Sequence, residues 1–511
     1  MKRIRSTMRS MKRIFFCALL ALVLFPVSIR ADVRLPALFS DNAVLQAGMA
    51  VPVWGWADDG EVITVKFRGQ KVTTTARNGK WSVALRKLKA GGPEVLSITT
   101  PTSSRQFTNV LVGEVWVCSG QSNMEWPLKQ SFESEADIAS ATNNQIRLFL
   151  VPKKKSDSPT TQINSGWVVC SPEDVKNRTA VGFYFGRALQ QARQVPVGLI
   201  ETYWGGSPAE VWMSREALEI NPRYQQEILD AYPTAVKNYQ DALAVYEKHK
   251  AEAASKGQEF KAGAPWPAWR PSELYNGMIA PLMPYAIKGA IWYQGESNAG
   301  RAEQYRTLFP DMIRNWRRDW GQNDFPFIAV QIAPWKAIVE QPQESDWAEL
   351  REAQWLATKS LPHVGMVVIT DVGDPKNIHP TKKQPVGERL ALAARAMAYG
   401  EKLEYSGPLY RDMETKGGKI ILRFDHTGKG LEAREGELKG FAICGEDRKF
   451  VWAKAEIVGD TVVVSSPEIA QPVAVRYGWA DCPVVNLWNK NGLPASPFRT
   501  DDFPMITAAK K

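Results

Sequence analysis

Histidine and cysteine are both scarce in this 511-residue chain, with four of the first and five of the second. No Cys-x-x-Cys pair and no His-rich cluster occurs, which argues against a structural or catalytic zinc site; no metal or other cofactor is expected. Beyond the first thirty residues there is no apolar run of bilayer-spanning length, so no membrane span is expected in the mature protein.

A strong charge of one sign is also missing once the N-terminus is set aside. The formal net charge is +10, but residues 1–31 hold seven basic residues and no acidic ones, leaving 57 basic against 54 acidic. The alkaline isoelectric point therefore does not imply a nucleic-acid partner. The same segment runs from Lys2, Arg3, Arg5, Arg9, Lys12 and Arg13 through the apolar stretch Ile14 to Val27 to Arg30-Ala31. That order is a secretory signal peptide cut near Ala31, and it predicts a secreted or periplasmic protein. Cys118, Cys170, Cys444 and Cys482 remain after cleavage; export permits a Cys444–Cys482 disulfide, and buried free thiols are the alternative.

What the chain has in plenty is tryptophan, nineteen in all. Most are expected in the core; indole faces also stack on sugar rings. Length suggests several domains. Residues 32–108 alternate in short segments (51–56, 62–67, 71–76, 80–85, 94–99) broken by Gly, Asp, Asn and Pro, which predicts a small N-terminal β-sandwich. From 109 to 402, apolar runs at 110–118, 146–151, 196–203, 285–294, 325–332 and 364–371 alternate with helical stretches at 179–191, 302–320, 347–361 and 387–399. This predicts an α/β domain with a mainly parallel sheet covered on both faces. Residues 214–260 read as a charged helical insertion, and 403–511 as a C-terminal β-rich region.

In a parallel sheet the site lies at the carboxyl ends of the strands, which allows the histidines to be sorted. His249 sits in a charged helical stretch, His363 at the wrong end of its strand, and His426 in a turn of the C-terminal region. His379, in DVGDPKNIHP after the run 364–371, remains as the candidate general base. Ser122, in VCSGQSNMEWPL, follows the first strand of the same domain. A serine hydroxyl becomes a nucleophile only with a base to take its proton. Acyl transfer also needs N–H groups aimed at the developing oxyanion. The backbone of Ser122 and of Gly205 or Gly206 offers these, and the side-chain amide of Gln294 or Asn298 is a further candidate. Ordinary turns and a satisfied polar group at a strand end would account for these glycines and for Gln294 equally well.

The blocks GQSNMEW, WGGSPAEVW, WYQGESN and DPKNIHP, with RPSELYNGMIAPL at 270–282, resemble in this order the sialate O-acetylesterase family of the SGNH hydrolase superfamily. The resemblance extends over about 32–505. It implies an SGNH-hydrolase-like three-layer domain flanked by β-sandwich-like regions. It also implies a carbohydrate esterase that takes acetyl groups from sugar hydroxyls, with Ser122 as nucleophile, His379 as base, and Ser122, Gly205 or Gly206, and Gln294 as the oxyanion site. In the superfamily an aspartate often precedes the histidine by three residues, but that position here is Lys376. Asp374 is the nearest candidate to orient the imidazole, Asp371 a second, and a backbone carbonyl a third. Gln121, Asn123, Glu296 and Arg301 are candidates to touch substrate, with Glu296 alternatively holding its loop. Arg270 or Arg301 would suit a sialic carboxylate. Acetylated xylan is the rival substrate, and a non-catalytic carbohydrate-binding protein the rival class.

Overall fold

The computed structural model describes residues 33–508, so the expected signal peptide lies outside the described residues. The N-terminal region forms strands where alternation is strictest. Val51–Trp56 pairs antiparallel with Lys80–Leu85, and Val62–Phe67 with Gln70–Thr75 and Gly91–Thr99. In Val51–Trp56, Val62–Phe67 and Lys80–Leu85 every second residue is buried, as a half-covered sheet requires, whereas no residue of Gln70–Thr75 is buried.

The centre of the molecule is built on β1 (Ser104–Gly120), β2 (Asn143–Leu150), β3 (Trp167–Cys170), β4 (Val197–Tyr203), β5 (Gly289–Tyr293), β6 (Phe327–Val330) and β7 (Val364–Val367). They lie in the order β7-β6-β5-β1-β4-β2-β3, all parallel except the edge strand β3. The first half of β1 pairs with Gly91–Thr99 of the N-terminal region, while from Val110 onward every residue is buried. The chain therefore passes from the N-terminal region into the central sheet within one strand.

Successive residues of a strand point to opposite faces, and here each face has its own helical layer. Trp116 and Cys118 pack with α1 (Ala180–Arg193) and α4 (Gln384–Tyr399). Val115 and Val117 belong to the core that includes α2 (Ala302–Trp320) and α3 (Asp346–Ser360). This is the three-layer α/β arrangement. The C-terminal region has a separate core around Leu422, Phe441, Val464 and Tyr477, between antiparallel sheets. The insertion carries the helix Tyr232–Ser255, none of whose residues is buried, as its charged sequence predicts. Cys118, Cys170, Cys444 and Cys482 are all buried free thiols, so the Cys444–Cys482 alternative is not formed. No helix of the described residues is long and apolar enough to cross a membrane.

Register fixes the place of the site. Gly120 is aligned with Tyr203 on one side and with Tyr293 on the other. Three adjacent parallel strands thus end level, and the GQSN, WGGSP and QGESN segments leave the sheet side by side.

Candidate active site

Ser122 opens a single helical turn, Ser122–Glu125, directly after β1. Gly120 makes the turn possible: its φ is +141°, and a Cβ there would stand 2.1 Å from the Tyr293 carbonyl oxygen. Only glycine tolerates both that conformation and that approach. The His379 loop comes from β7, at the far edge of the sheet, and crosses over the segment after β6, where the Asp374 N–H donates to the Pro334 carbonyl at 3.2 Å. The outcome is a 2.8 Å contact between His379 Nε2 and Ser122 Oγ, across 257 positions of sequence. The imidazole is half-buried and stacks on Trp126, with ring centroids 5.3 Å apart and planes inclined by 22°. Burial, and then the charge of Lys383, hold the His379 pKa below its ordinary value of 6.5. A neutral imidazole with Nε2 facing the hydroxyl is the form able to take its proton.

No carboxylate among the described residues is hydrogen-bonded to that ring. Asp374 instead accepts the Lys376 N–H at 2.8 Å, capping its own turn. Asp371 is held by Arg389 in a bidentate pair at 2.6 and 2.7 Å. The expectation that Asp374 orients His379 is therefore corrected. What steadies the ring is the Trp126 stack, while the backbone N–H of His379 donates to Asn377 Oδ1 at 2.9 Å and so holds the loop that carries it.

The expected oxyanion donors also divide. The Ser122 N–H stands at the first position of its turn, where the turn supplies it no acceptor. Gly205 lies against Ser122, since an added Cβ would be 3.2 Å from the Ser122 Cβ, but its N–H donates to Glu125 Oε2 at 2.7 Å. Gly206, at φ +73°, has open space around its Cα, and its N–H has no partner among the described residues. Gln294 and Asn298 do not face the hydroxyl as free donors. Gln294 Nε2 donates to Asn298 Oδ1 at 2.6 Å and to the Ser207 carbonyl at 3.3 Å, while its Oε1 accepts from the Tyr305 hydroxyl at 2.9 Å. Asn298 Oδ1 also accepts the Ala209 N–H, and its Nδ2 donates to Glu210. Both amides are fully buried struts between the WGGSP and QGESN segments.

The residues expected to touch substrate are engaged in the same way. Gln121 Oε1 accepts from Gly295 and Ser297 N–H groups, both at 3.3 Å. Asn123 is fully buried and bonded to Glu296, Lys383 and the Ile378 carbonyl. Glu296 therefore holds its loop. Arg301 pairs with Glu210 at 2.6 Å and bonds Gln304, and Arg270 pairs with Asp157.

Several participants escape sequence reasoning. Trp204, beside Gly205, meets Trp269 edge-on at 5.6 Å, and the Lys155 ammonium lies 4.1 Å from the Trp269 ring centroid. Trp126 and Lys383 are the others. The abundance of tryptophan was the available signal, but nothing local separates these three indoles from the core ones. Among the described residues no cluster of His, Cys, Asp or Glu is suited to hold a metal ion.

This site can be set beside known proteins. Residues 112–396 match the carbohydrate esterase family described as sialic acid-specific acetylesterase. The chain is 30% identical over 500 residues to the sialate O-acetylesterase of Mus musculus, covering 87% of this chain and 90% of that protein. To the sialate O-acetylesterase of Homo sapiens it is 30% identical over 516 residues, covering 91% and 92%. The crystal structure of a carbohydrate acetylesterase from Xanthomonas citri superposes with a TM-score of 0.80 at 41% identity, over 92% of this chain and all of that one. A serine and histidine in contact at level strand ends, within a chain so matched, place it in a known group: it belongs to the sialic acid-specific acetylesterase family of carbohydrate esterases.

Proposed function

We propose that this carbohydrate acetylesterase works by acyl transfer through Ser122. The observation that supports it is the 2.8 Å contact between His379 Nε2 and Ser122 Oγ. His379 takes the hydroxyl proton as Oγ bonds to the acetyl carbonyl carbon. The tetrahedral oxyanion is received by the N–H groups of Ser122 and Gly206. Collapse breaks the bond to the sugar oxygen, which leaves with the proton from His379, and acetyl stays on Ser122. A water deprotonated by the same imidazole then releases acetate and restores the serine. Replacing Ser122 with Ala tests this: hydrolysis of 4-nitrophenyl acetate should fall by about a thousandfold or more, and retained activity would remove Ser122 from the role.

O-acetylated sialic acid is the substrate favoured by the family and by the relatives' activity. The Trp204–Trp269 wall supplies a surface for the sugar, and Lys155 a cation for an acidic one, although Glu273 also pairs with it at 2.9 Å. A second reading, acetylated plant polysaccharide such as xylan, is supported by the commitment of Arg270 and Arg301 to carboxylates of the protein itself. Acetate release from O-acetylated sialic acid and from acetylated xylan separates the two. Export is proposed on the N-terminal segment, and a mature N-terminus at Asp32 would support it.

A further inference from the structure

Behind the Ser122–His379 contact, three segments converge on the side-chain amide of Asn123. Its Oδ1 accepts from Lys383 Nζ at 2.6 Å, and its Nδ2 donates to Glu296 Oε1 at 2.7 Å and to the Ile378 carbonyl at 3.0 Å. Both amide protons are spent. Asn123 therefore joins the turn that carries Ser122, the loop after β5, and the residue preceding His379. Lys383, just before α4, is 1% exposed. Its ammonium lies 5.3 Å from the Tyr293 ring centroid and 5.8 Å from that of Trp126, the same indole on which His379 stacks. A buried ammonium bonded to one neutral oxygen is expensive to keep, and no carboxylate comes within ion-pair distance of it among the described residues.

We propose that Lys383 is a positioning residue for ester cleavage: through Asn123 it locks the Ser122 turn to the His379 loop, and its charge opposes a second positive charge on the imidazole. The inference rests on the reading of Ser122 and His379 as the reacting pair. Burial brings Lys383 down to about 7, with Glu296 acting against that, and the same ammonium lowers His379. Glu296 is itself raised by burial, and its Oε2 has no hydrogen-bond partner among the described residues. Arg351 from α3 acts on Glu296 from behind, while Glu125 of the Ser122 turn is committed to Gly205 and Lys153. Asp371 and Asp374 of the His379 loop are committed elsewhere.

The test compares kcat, KM and the pH dependence of kcat/KM on 4-nitrophenyl acetate for the wild type, Lys383→Met, Lys383→Arg and Ser122→Ala. For Lys383→Met the expected result is a fall in kcat of about tenfold or more at little-changed KM, with the acid limb displaced to higher pH. Lys383→Arg keeps the charge and should leave the acid limb where the wild type has it. An acid limb of Lys383→Met that coincides with the wild type overturns the inference, whatever the loss in kcat, because a packing role alone would not move it. Should Lys383→Met fail to fold, Lys383→Gln, which removes the charge and keeps a donor, is read by the same criterion. An active Ser122→Ala would instead overturn the assignment of the reacting serine, so the two failures are distinct.

Discussion

Glu125 Oε2 accepts the Gly205 N–H at 2.7 Å, linking residues 80 positions apart at the rim of the Ser122 turn. The amide that sequence offers to an oxyanion thus serves to latch the glycine loop, and Glu125 is further tied to Lys153.

Unlatching that loop should weaken catalysis more than folding. Preorganised donors act because they need no rearrangement when charge develops, and Gly206 follows directly on the latched residue. Glu125→Ala is expected to lower kcat/KM by about tenfold, near 1.4 kcal/mol of transition-state stabilisation, with the thermal midpoint little changed. A kcat/KM equal to that of the wild type would show that the latch does not matter.

Asp374 supplies a sharper discrimination. Where a carboxylate orients a catalytic imidazole, its conversion to an amide costs about 10⁴ in kcat. Here Asp374 caps a turn through the Lys376 N–H, a bond that an asparagine oxygen can also accept. Asp374→Asn should therefore stay within about threefold of the wild type in kcat, since a neutral Asx cap is nearly equivalent. A collapse of several orders of magnitude would mean that Asp374 reaches His379 during turnover.

The acid limb of the pH profile should report His379. Its pKa is lowered by burial first and by Lys383 second. The base is active when neutral, so activity persists below the ordinary value of 6.5 and is lost as pH falls through the depressed one. Trp126 covers the ring, and Trp126→Ala hydrates it, favouring the imidazolium. The limb of that variant should move to higher pH, measured as kcat/KM from pH 4 to 8; a limb that stays in place would remove Trp126 from the tuning.

How far the sequence carried depends on the range of the interactions. The helix Ala302–Trp320 and the strands Val51–Trp56, Val62–Phe67 and Lys80–Leu85 have the bounds that periodicity predicts, because one buried face repeats at the period of the element. Ser122 and His379 were legible because strand ends collect sites and histidine is rare. The short antiparallel strand Trp167–Cys170 was missed, since four residues carry too little pattern. The orientation of polar side chains was hidden as well. Gln294 and Asn298 look like free donors in QGESN, yet both turn inward because Tyr305, Ser207 and Glu210, from other segments, satisfy them there. Lys383, in the run TKKQP, looks like one of two solvated lysines, and only the fold buries it beneath Trp126 and Tyr293.

Gly120 tests whether the level ending of β1 and β5 is what places Ser122. A methyl group there would stand 2.1 Å from the Tyr293 oxygen and 2.7 Å from its carbonyl carbon, both backbone atoms that cannot rotate aside. The strands would have to part where the Gln121 N–H donates to the same carbonyl at 3.0 Å. Gly48 is the control: its φ of +82° also lies in the left-handed region, but nothing stands within 4 Å of an added Cβ. Gly48→Ala should cost only the left-handed penalty of about 1 kcal/mol, whereas Gly120→Ala adds overpacking strain of about 1–3 kcal/mol. Because the N-terminal sheet, the central sheet and the C-terminal region need not unfold together, the comparison is best made on the first thermal transition, alongside kcat. Gly120→Ala should lower that transition further than Gly48→Ala and, by shifting Ser122 against His379, reduce kcat by about a hundredfold. Equal effects of the two substitutions on both measurements would show that the strand ends are free to adjust, and that the serine is placed by its own turn and by Asn123 alone.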